Sequence, residues 1–177
     1  MKRVLCFIYI IMLACSANAQ KTIDFATKFI RECKGDSILQ CVAVSPKMMD
    51  MMTRQQNQNH NDRMVQAIQK LKSAQIITAN RNGEYYFAQA EILMKRNAKR
   101  FKMSKSYEDD NKKGVFYSRQ LKNGQTVELV LLHVSDDKLV IVNLTGDIDD
   151  EFVNMLSNNV AGKTSQQITR KQAGRHT

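Results

Sequence analysis

The residues of this sequence that could bind a ligand form a group of cations between positions 95 and 105. They are Lys95, Arg96, Lys99, Arg100, Lys102 and Lys105. Clustered cations attract phosphate-bearing partners, and the whole chain has a formal net charge of +10. The group also falls at the C-terminal end of a predicted helix, where the helix dipole favours cations. It is therefore either an anion-binding surface or a solvated helix face, and the second interpretation is the more usual.

Two cysteines, Cys33 and Cys41, could form a disulfide in an oxidising compartment. Because the loop between them is short, such a bond would stabilise the fold by only about 2–3 kcal/mol. The alternative is that both are small apolar residues that are buried separately. No second pair of cysteine or histidine residues accompanies them at a metal-binding spacing, so we predict no metal site.

Motifs typical of enzymes are missing from the sequence. It has no Gly-x-Ser-x-Gly, no phosphate-binding glycine loop, no Cys–His pair at a useful spacing and no His-x-x-His cluster. The acidic run from Asp147 to Glu151 lacks the spacing and the glycine of a calcium-binding EF-hand and fits helix capping better. We predict no catalytic residue and no cofactor. We favour a non-enzymatic binding module over the alternative, a small periplasmic hydrolase with a scattered active site.

Four methionines stand close together, at Met48, Met49, Met51 and Met52. Such a group can form a pliable binding surface or a metal site, but it more often fills gaps in a core. The preceding Ser45-Pro46 is typical of a helix start. We therefore expect a helix whose methionines belong to the core.

The first 19 residues have the three parts of a secretory signal peptide. Lys2-Arg3 precedes an uncharged apolar run over residues 4–15, and Ala17-Asn18-Ala19 forms a cleavage site. The apolar run is shorter than the roughly 20 residues of a membrane span, so we expect no transmembrane segment in the mature chain. Acylation at Cys15 is an alternative, but Leu13 occupies a position where lipoproteins have a small residue.

Export limits the class of partner. We predict a periplasmic or extracellular protein whose partner is an envelope protein or an anionic envelope component, and not nucleic acid. Residues 20–160 have the size of one domain with its own core. Residues 161–177 form a basic tail that we expect to be disordered.

The spacing of apolar residues predicts an α+β fold. Its C-terminal half contains three strands, over residues 115–121, 125–134 and 138–145. Asn123-Gly124 predicts a type I′ turn after the first strand, because both residues tolerate a positive φ, and Asp136-Asp137 gives a weaker turn signal after the second. The predicted architecture is a mixed sheet with a C-terminal antiparallel three-strand meander, covered by helices on at least one face.

Counting back from the two turns places Arg119 opposite Glu128 and Val130 opposite Asn143. One face of the meander is then apolar, and we expect it to be the core face: Phe116, Val127, Leu129, Leu131, Val140, Val142 and Leu144. Arg119 and Glu128 lie on the other face. They are either a solvated pair that fixes the strand register or the lining of a shallow ligand groove, and the first role is the more common. We expect His133 to be a structural histidine.

The order of these elements resembles the family called domain of unknown function 4252, small exported proteins of Gram-negative bacteria. The resemblance rests on the early helix Phe25–Ile30, the step Val44-Ser45-Pro46-Lys47-Met48-Met49, the segment Ser73-Ala74-Gln75-Ile76-Ile77, the Asn123-Gly124 hairpin and the stretch from Leu139 to Ile148. It covers about Thr22 to Leu156. The resemblance implies export and a similar fold. Because the family has no established activity, it implies no catalytic residue.

Cleavage after Ala19 predicts a mature protein that begins at Gln20, either as such or cyclised. Mass spectrometry of the exported protein checks this prediction directly. A diacylated Cys15 at the N-terminus would contradict it and would identify a membrane-anchored lipoprotein.

Overall fold

The structure of the protein, a computed structural model, describes residues 23–56, 62–109 and 111–158. The predicted signal peptide, Cys15 and the basic tail lie outside the described residues. Within the described part of the chain, no helix is long and apolar enough to cross a membrane.

The described chain has the predicted α+β composition, and its elements alternate along the sequence. In chain order they are helix α1 (Phe25–Glu32), strand β1 (Leu39–Val44), helices α2 (Pro46–Gln56) and α3 (Asp62–Gln69), strand β2 (Leu71–Ala79), helix α4 (Gly83–Arg96), strands β3 (Lys102–Asp109), β4 (Lys112–Gln120), β5 (Thr126–Ser135) and β6 (Lys138–Ile148), and helix α5 (residues 150–158).

The six strands form one sheet in the order β1-β2-β6-β5-β4-β3, and every neighbouring pair is antiparallel. The C-terminal strands β4, β5 and β6 pair in sequence as a meander. The prediction of a mixed sheet is wrong, and the connections explain why. Two consecutive helices, α2 and α3, connect β1 to β2. Because β2 begins at the end of the sheet where β1 stops, the two strands are antiparallel. The crossover through α4 adds β3 at the far edge, beside β4 rather than beside β2.

Of the two predicted hairpin turns, the one at Asp136-Asp137 is confirmed and the type I′ turn at Asn123-Gly124 is wrong. Gly124 has a φ of +86° and donates its N–H to the Leu121 carbonyl at 3.0 Å, while Asn123 keeps a negative φ. The Asn123-Gly124 turn is therefore not type I′, and a bulge in the β4–β5 ladder follows it. Asp136 and Asp137, with φ of +49° and +57°, form the tight two-residue turn. The predicted pairs Arg119–Glu128 and Val130–Asn143 are confirmed.

Helices cover both faces of the sheet. α1 and α4 lie on the first face, where Ile77, Val130 and Ile141 are fully buried. α2, α3 and α5 lie on the second face, around Leu129 and Leu144. The predicted core face is the second one. Both faces of the sheet are core faces, and the prediction of a single core face missed the first one, which carries the larger buried cluster.

The turn at Asp137 also begins helix α4. The backbone N–H of Asn82 donates to the Asp137 carboxylate at 2.9 Å, and the N–H of Gly83 donates to the Asp137 carbonyl at 2.8 Å. A side chain at position 83 would place its Cβ 2.5 Å from that carbonyl oxygen, so this contact requires glycine. A helix N-terminus needs such acceptors, and here a strand hairpin supplies them.

Replacing Asp137 by alanine should lower the free energy of unfolding by about 1 kcal/mol through the lost helix cap. Asp136→Ala is the matched control, because it places alanine in the same turn with a similar positive φ but leaves the cap in place. Urea denaturation of both variants measures the difference. Equal losses would mean that the Asp137 carboxylate does not stabilise α4.

Candidate functional site

A buried polar network joins the sheet to the first turn of α1. Glu128 on β5 is 0% exposed. Its Oε1 accepts hydrogen bonds from the backbone N–H of Phe25 at 2.7 Å and from Nδ2 of Asn143 at 3.2 Å. Oδ1 of Asn143, on β6, accepts from the N–H of Ala26 at 2.9 Å. The sheet therefore supplies acceptors for two of the free N–H groups at the start of the helix.

Arg119 on β4 completes the network. Its Nε donates to Oε2 of Glu128 at 2.7 Å, and its side chain is 17% exposed. The prediction of a solvated register pair is wrong, because α1 packs over Glu128 and removes it from water. Both carboxylate oxygens of Glu128 already accept protein hydrogen bonds. The structure therefore gives this pair a structural role rather than that of a ligand groove.

The predicted basic group is divided between the two faces of the sheet. Arg96 forms an ion pair with Glu32 at the end of α1, and Arg100 donates to the carbonyl of Ile23 at 3.4 Å. Lys105 lies on the second face. Its Nζ donates to Asn154 at 3.0 Å and to Ser157 at 2.8 Å on α5. Lys95, Lys99 and Lys102 are exposed. Anion binding by this group stays a prediction.

Both cysteines are free thiols in the structure. Cys33 ends α1 and is half-buried against the first core, whereas Cys41 is exposed on β1. Burial raises the pKa of both thiols. The disulfide between them is not present in the structure and stays a prediction for the exported protein.

A pocket of about 210 Å³ lies between the C-terminal end of α1 and the start of α4. Cys33 and Tyr86 line it together with Asp36, whose carboxylate accepts a hydrogen bond from the Tyr86 hydroxyl at 2.5 Å. This bond lowers the pKa of Asp36 and raises the pKa of Tyr86 to about 12. At neutral pH the carboxyl group is therefore ionised and the phenol protonated, which suits a structural contact better than proton transfer.

The two faces of the sheet are covered unequally at the end that carries the Asp136-Asp137 turn. On the first face, the residues of β5 and β6 near this turn are fully buried: Leu132, Val134, Leu139 and Ile141. On the second face the neighbouring positions are only half-buried, and Val42 on the edge strand is 56% exposed. We call this region the open face; it consists of Val42, Ile76, Leu131, Val140 and Val142. The described helices of the second face pack over the opposite end, around Leu129 and Leu144.

Tyr107 and His133 border the open face on the side of β3. The Tyr107 hydroxyl lies 2.8 Å from Nδ1 of His133, and its ring lies directly against Gly114. Burial lowers the pKa of His133 and raises the pKa of Tyr107 to about 12. The prediction of a structural role for His133 agrees with this contact.

Helix α2 adds apolar surface on the same side of the sheet, where it packs on β2. Met48 is 48% exposed and Met51 is 52% exposed, whereas Met49 is buried in the second core. The prediction that these methionines fill the core therefore holds for Met49 and is wrong for Met48 and Met51. The side chain of Met52 lies outside the described residues. Exposed methionines are pliable contact residues.

The open face was missed because its residues carry the pattern of a core strand. Leu131, Val140 and Val142 alternate with the residues of the first face, and nothing in such a pattern tells which half of a face a helix covers. Among the described residues, no group of three or more histidine, cysteine or acidic residues is placed to hold a metal ion.

The family model called domain of unknown function 4252 matches residues 34–156. The chain belongs to this family. The segment that matches the domain of unknown function 4252 family begins after α1 and includes all six strands. Helix α1 lies before the matched segment.

A solved structure of a protein of unknown function from Pseudomonas aeruginosa is similar to this chain. The two are 13% identical, the match covers 73% of this chain and 79% of that one, and the TM-score is 0.31. Such a low TM-score carries no argument about fold or function. No curated protein matches the sequence closely enough to count as a relative.

Replacing Glu128 by alanine should lower the free energy of unfolding by about 3–5 kcal/mol, because it leaves a largely buried Arg119, the backbone N–H of Phe25 and Nδ2 of Asn143 without this acceptor. Glu128→Gln should cost less, since it keeps the side-chain volume and one of the two acceptor oxygens, although the charge and the second acceptor are lost. Urea denaturation of the two variants gives both values. A loss below about 1 kcal/mol for Glu128→Ala would instead fit an exposed ion pair.

Proposed function

We propose that the protein is an exported, non-enzymatic binding module of the cell envelope, and that it binds a partner protein through the open face. In this proposal residues 1–19 are the signal peptide, residues 20–160 are the binding domain, residues 161–177 are a disordered basic tail, and the mature protein works in the periplasm or outside the cell. Membership in the domain of unknown function 4252 family is consistent with this proposal.

The observation that carries the proposal is the unequal covering of the sheet. An apolar surface that stays exposed to water is costly, and contiguous patches of this kind mark interaction sites. The exposed Val42 adjoins half-buried side chains on three further strands, and α2 adds Met48 and Met51 on the same side. Methionine side chains are unbranched, flexible and polarisable, so they can adapt to the shape of a partner surface.

The partner is proposed to be a protein rather than an anion. The open face is built from aliphatic side chains, and the cations that could recognise an anion lie on different faces of the sheet or are paired. The chemistry of the surface therefore favours an apolar protein surface.

A hydrolase is the alternative class. Its active site would have to use the pocket between α1 and α4, which contains Cys33, Asp36 and Tyr86. General acid–base catalysis needs a group whose pKa lies near the working pH. The Asp36–Tyr86 bond moves the pKa values of its two members in opposite directions, away from neutrality. This pocket supports the hydrolase less well than the open face supports binding.

Copurification from the native envelope tests the proposal. The variant Val42→Glu places a charge on the most exposed residue of the open face and should recover the partner at least tenfold less well than the wild type. Ile92→Glu is the matched control, because Ile92 is a similarly exposed (45%) apolar residue on α4, over the other face. The control should behave like the wild type.

Two results would contradict the proposal. Equal recovery of the same partner by the wild type and by Val42→Glu would show that the open face does not bind it. Hydrolysis of an envelope component by the purified protein, lost in Tyr86→Phe, would favour the enzyme class.

A further inference from the structure

The two edges of the sheet are protected to different degrees. Edge strand β3 carries Lys102, Lys105, Glu108 and Asp109, and a bulge between Met103 and Lys105 interrupts its pairing with β4. Charged side chains and bulges are the devices that keep an edge strand from pairing with another chain. The β3 edge has both of them.

The opposite edge, β1, lacks these devices. The segment from Leu39 to Val44 contains no charged residue and no proline, and it pairs with β2 in continuous register. The side chains at its centre are exposed: Gln40, Cys41, Val42 and Ala43. The outward N–H and C=O groups of such a strand can form hydrogen bonds with an added strand.

We propose that β1 pairs antiparallel with β1 of a second copy of the chain, around a two-fold axis perpendicular to the sheet. The charge distribution favours this occupant. Without Lys2 and Arg3 of the predicted signal peptide, 25 Lys+Arg and 17 Asp+Glu give a formal net charge of +8, so charged parts of the surface tend to repel a second copy. β1 is uncharged, so it can face its own copy without placing like charges opposite each other.

The geometry of the sheet restricts the register of this pair. A two-fold axis perpendicular to the sheet keeps corresponding faces on the same side, so residues of one face lie opposite residues of the same face. Centring the pair on Val42 places Val42 opposite its counterpart, Cys41 opposite Ala43 and Gln40 opposite Val44. The exposed side of Val42 then gains an apolar neighbour. The open faces of the two copies become continuous across the axis.

The pairing uses about five residues from each copy, so the interface is smaller than the roughly 800 Å² per partner of a stable complex. We therefore expect a weak dimer whose fraction depends on protein concentration. The inference goes beyond the proposed function and does not rest on it, because the pairing uses the backbone hydrogen-bonding groups of the β1 edge, although Val42 belongs to both surfaces.

Sedimentation equilibrium of the purified protein over a wide concentration range tests the dimer. The wild type should shift from the monomer mass towards twice that mass. Ala43→Lys should stay monomeric, because each copy adds a cation to the pair of strands. Met103→Lys is the matched control on the other edge and should dimerise like the wild type, since Met103 is 64% exposed on β3. A wild type that stays monomeric, or an Ala43→Lys variant that dimerises equally, would overturn the proposal.

A cross-link tests the register. In a Cys33→Ser background, Ala43→Cys introduces a thiol that the proposed register places opposite Cys41 of the other copy, within reach of a disulfide. Mild oxidation should convert most of this variant to a covalent dimer, and the Cys33→Ser protein alone should cross-link at least several times less. Equal cross-linking of both proteins would overturn the register. A monomeric wild type that binds another protein's strand through β1 would overturn the second copy as the occupant.

Discussion

The carboxylate of Glu128 is the contact on which the arrangement of the layers depends. A buried charge is costly, and it is stable here because Arg119 pairs with it and the first turn of α1 points its N–H groups and positive dipole end towards it. One side chain on β5 thus determines where α1 begins. The helix in turn places Phe25 and Phe29 in the first core, and their rings stack at a centroid distance of 6.0 Å.

The same hairpin positions both helices of the first face. Glu128 and Asn143 accept hydrogen bonds from α1, and the turn at Asp137 accepts them from α4. Helix α1 has a local cap as well, Asp24. On the second face, the described caps of α2 and α5 are local residues, Ser45 and Asp149, and not the β5–β6 hairpin. These two helices therefore lack an anchor at the turn end of the sheet. This difference is a physical reason for the open face.

Elements built from nearby residues could be predicted from the sequence. The strand register followed from the turn positions. At the Asn123-Gly124 turn it is correct because a bulge next to Arg119 compensates for the different turn geometry. The Arg119–Glu128 pair was therefore located correctly, but its environment was not. Whether Glu128 is exposed depends on α1, which lies about one hundred positions earlier in the chain. The mixed-sheet prediction failed for a similar reason. The position of β3 beside β4 depends on the long-range connection through α4, which carries the chain from β2 to the far edge of the sheet.

The candidate site was harder to predict, because apolar residues of a core and of a contact surface look alike in a sequence. Leu131 and Val142 have the pattern of core residues, and their exposure depends on how far α2, α3 and α5 extend. For the basic group the sequence suggested one common surface that the fold does not form. Its residues are close in sequence, but Arg96 and Lys105 find partners on different layers, Glu32 on α1 and Asn154 on α5.

This separation of charge and apolar surface has a consequence for recognition. Without Lys2 and Arg3 of the predicted signal peptide, 25 Lys+Arg and 17 Asp+Glu give a formal net charge of +8, and exposed charges are screened beyond about 10 Å at 0.1 M salt. Such a charge can speed the approach of an acidic partner, but it specifies no docking position. The position must come from short-range contacts, where side chains are excluded from water. In this fold those contacts are available at the open face and along β1, which meet at Val42.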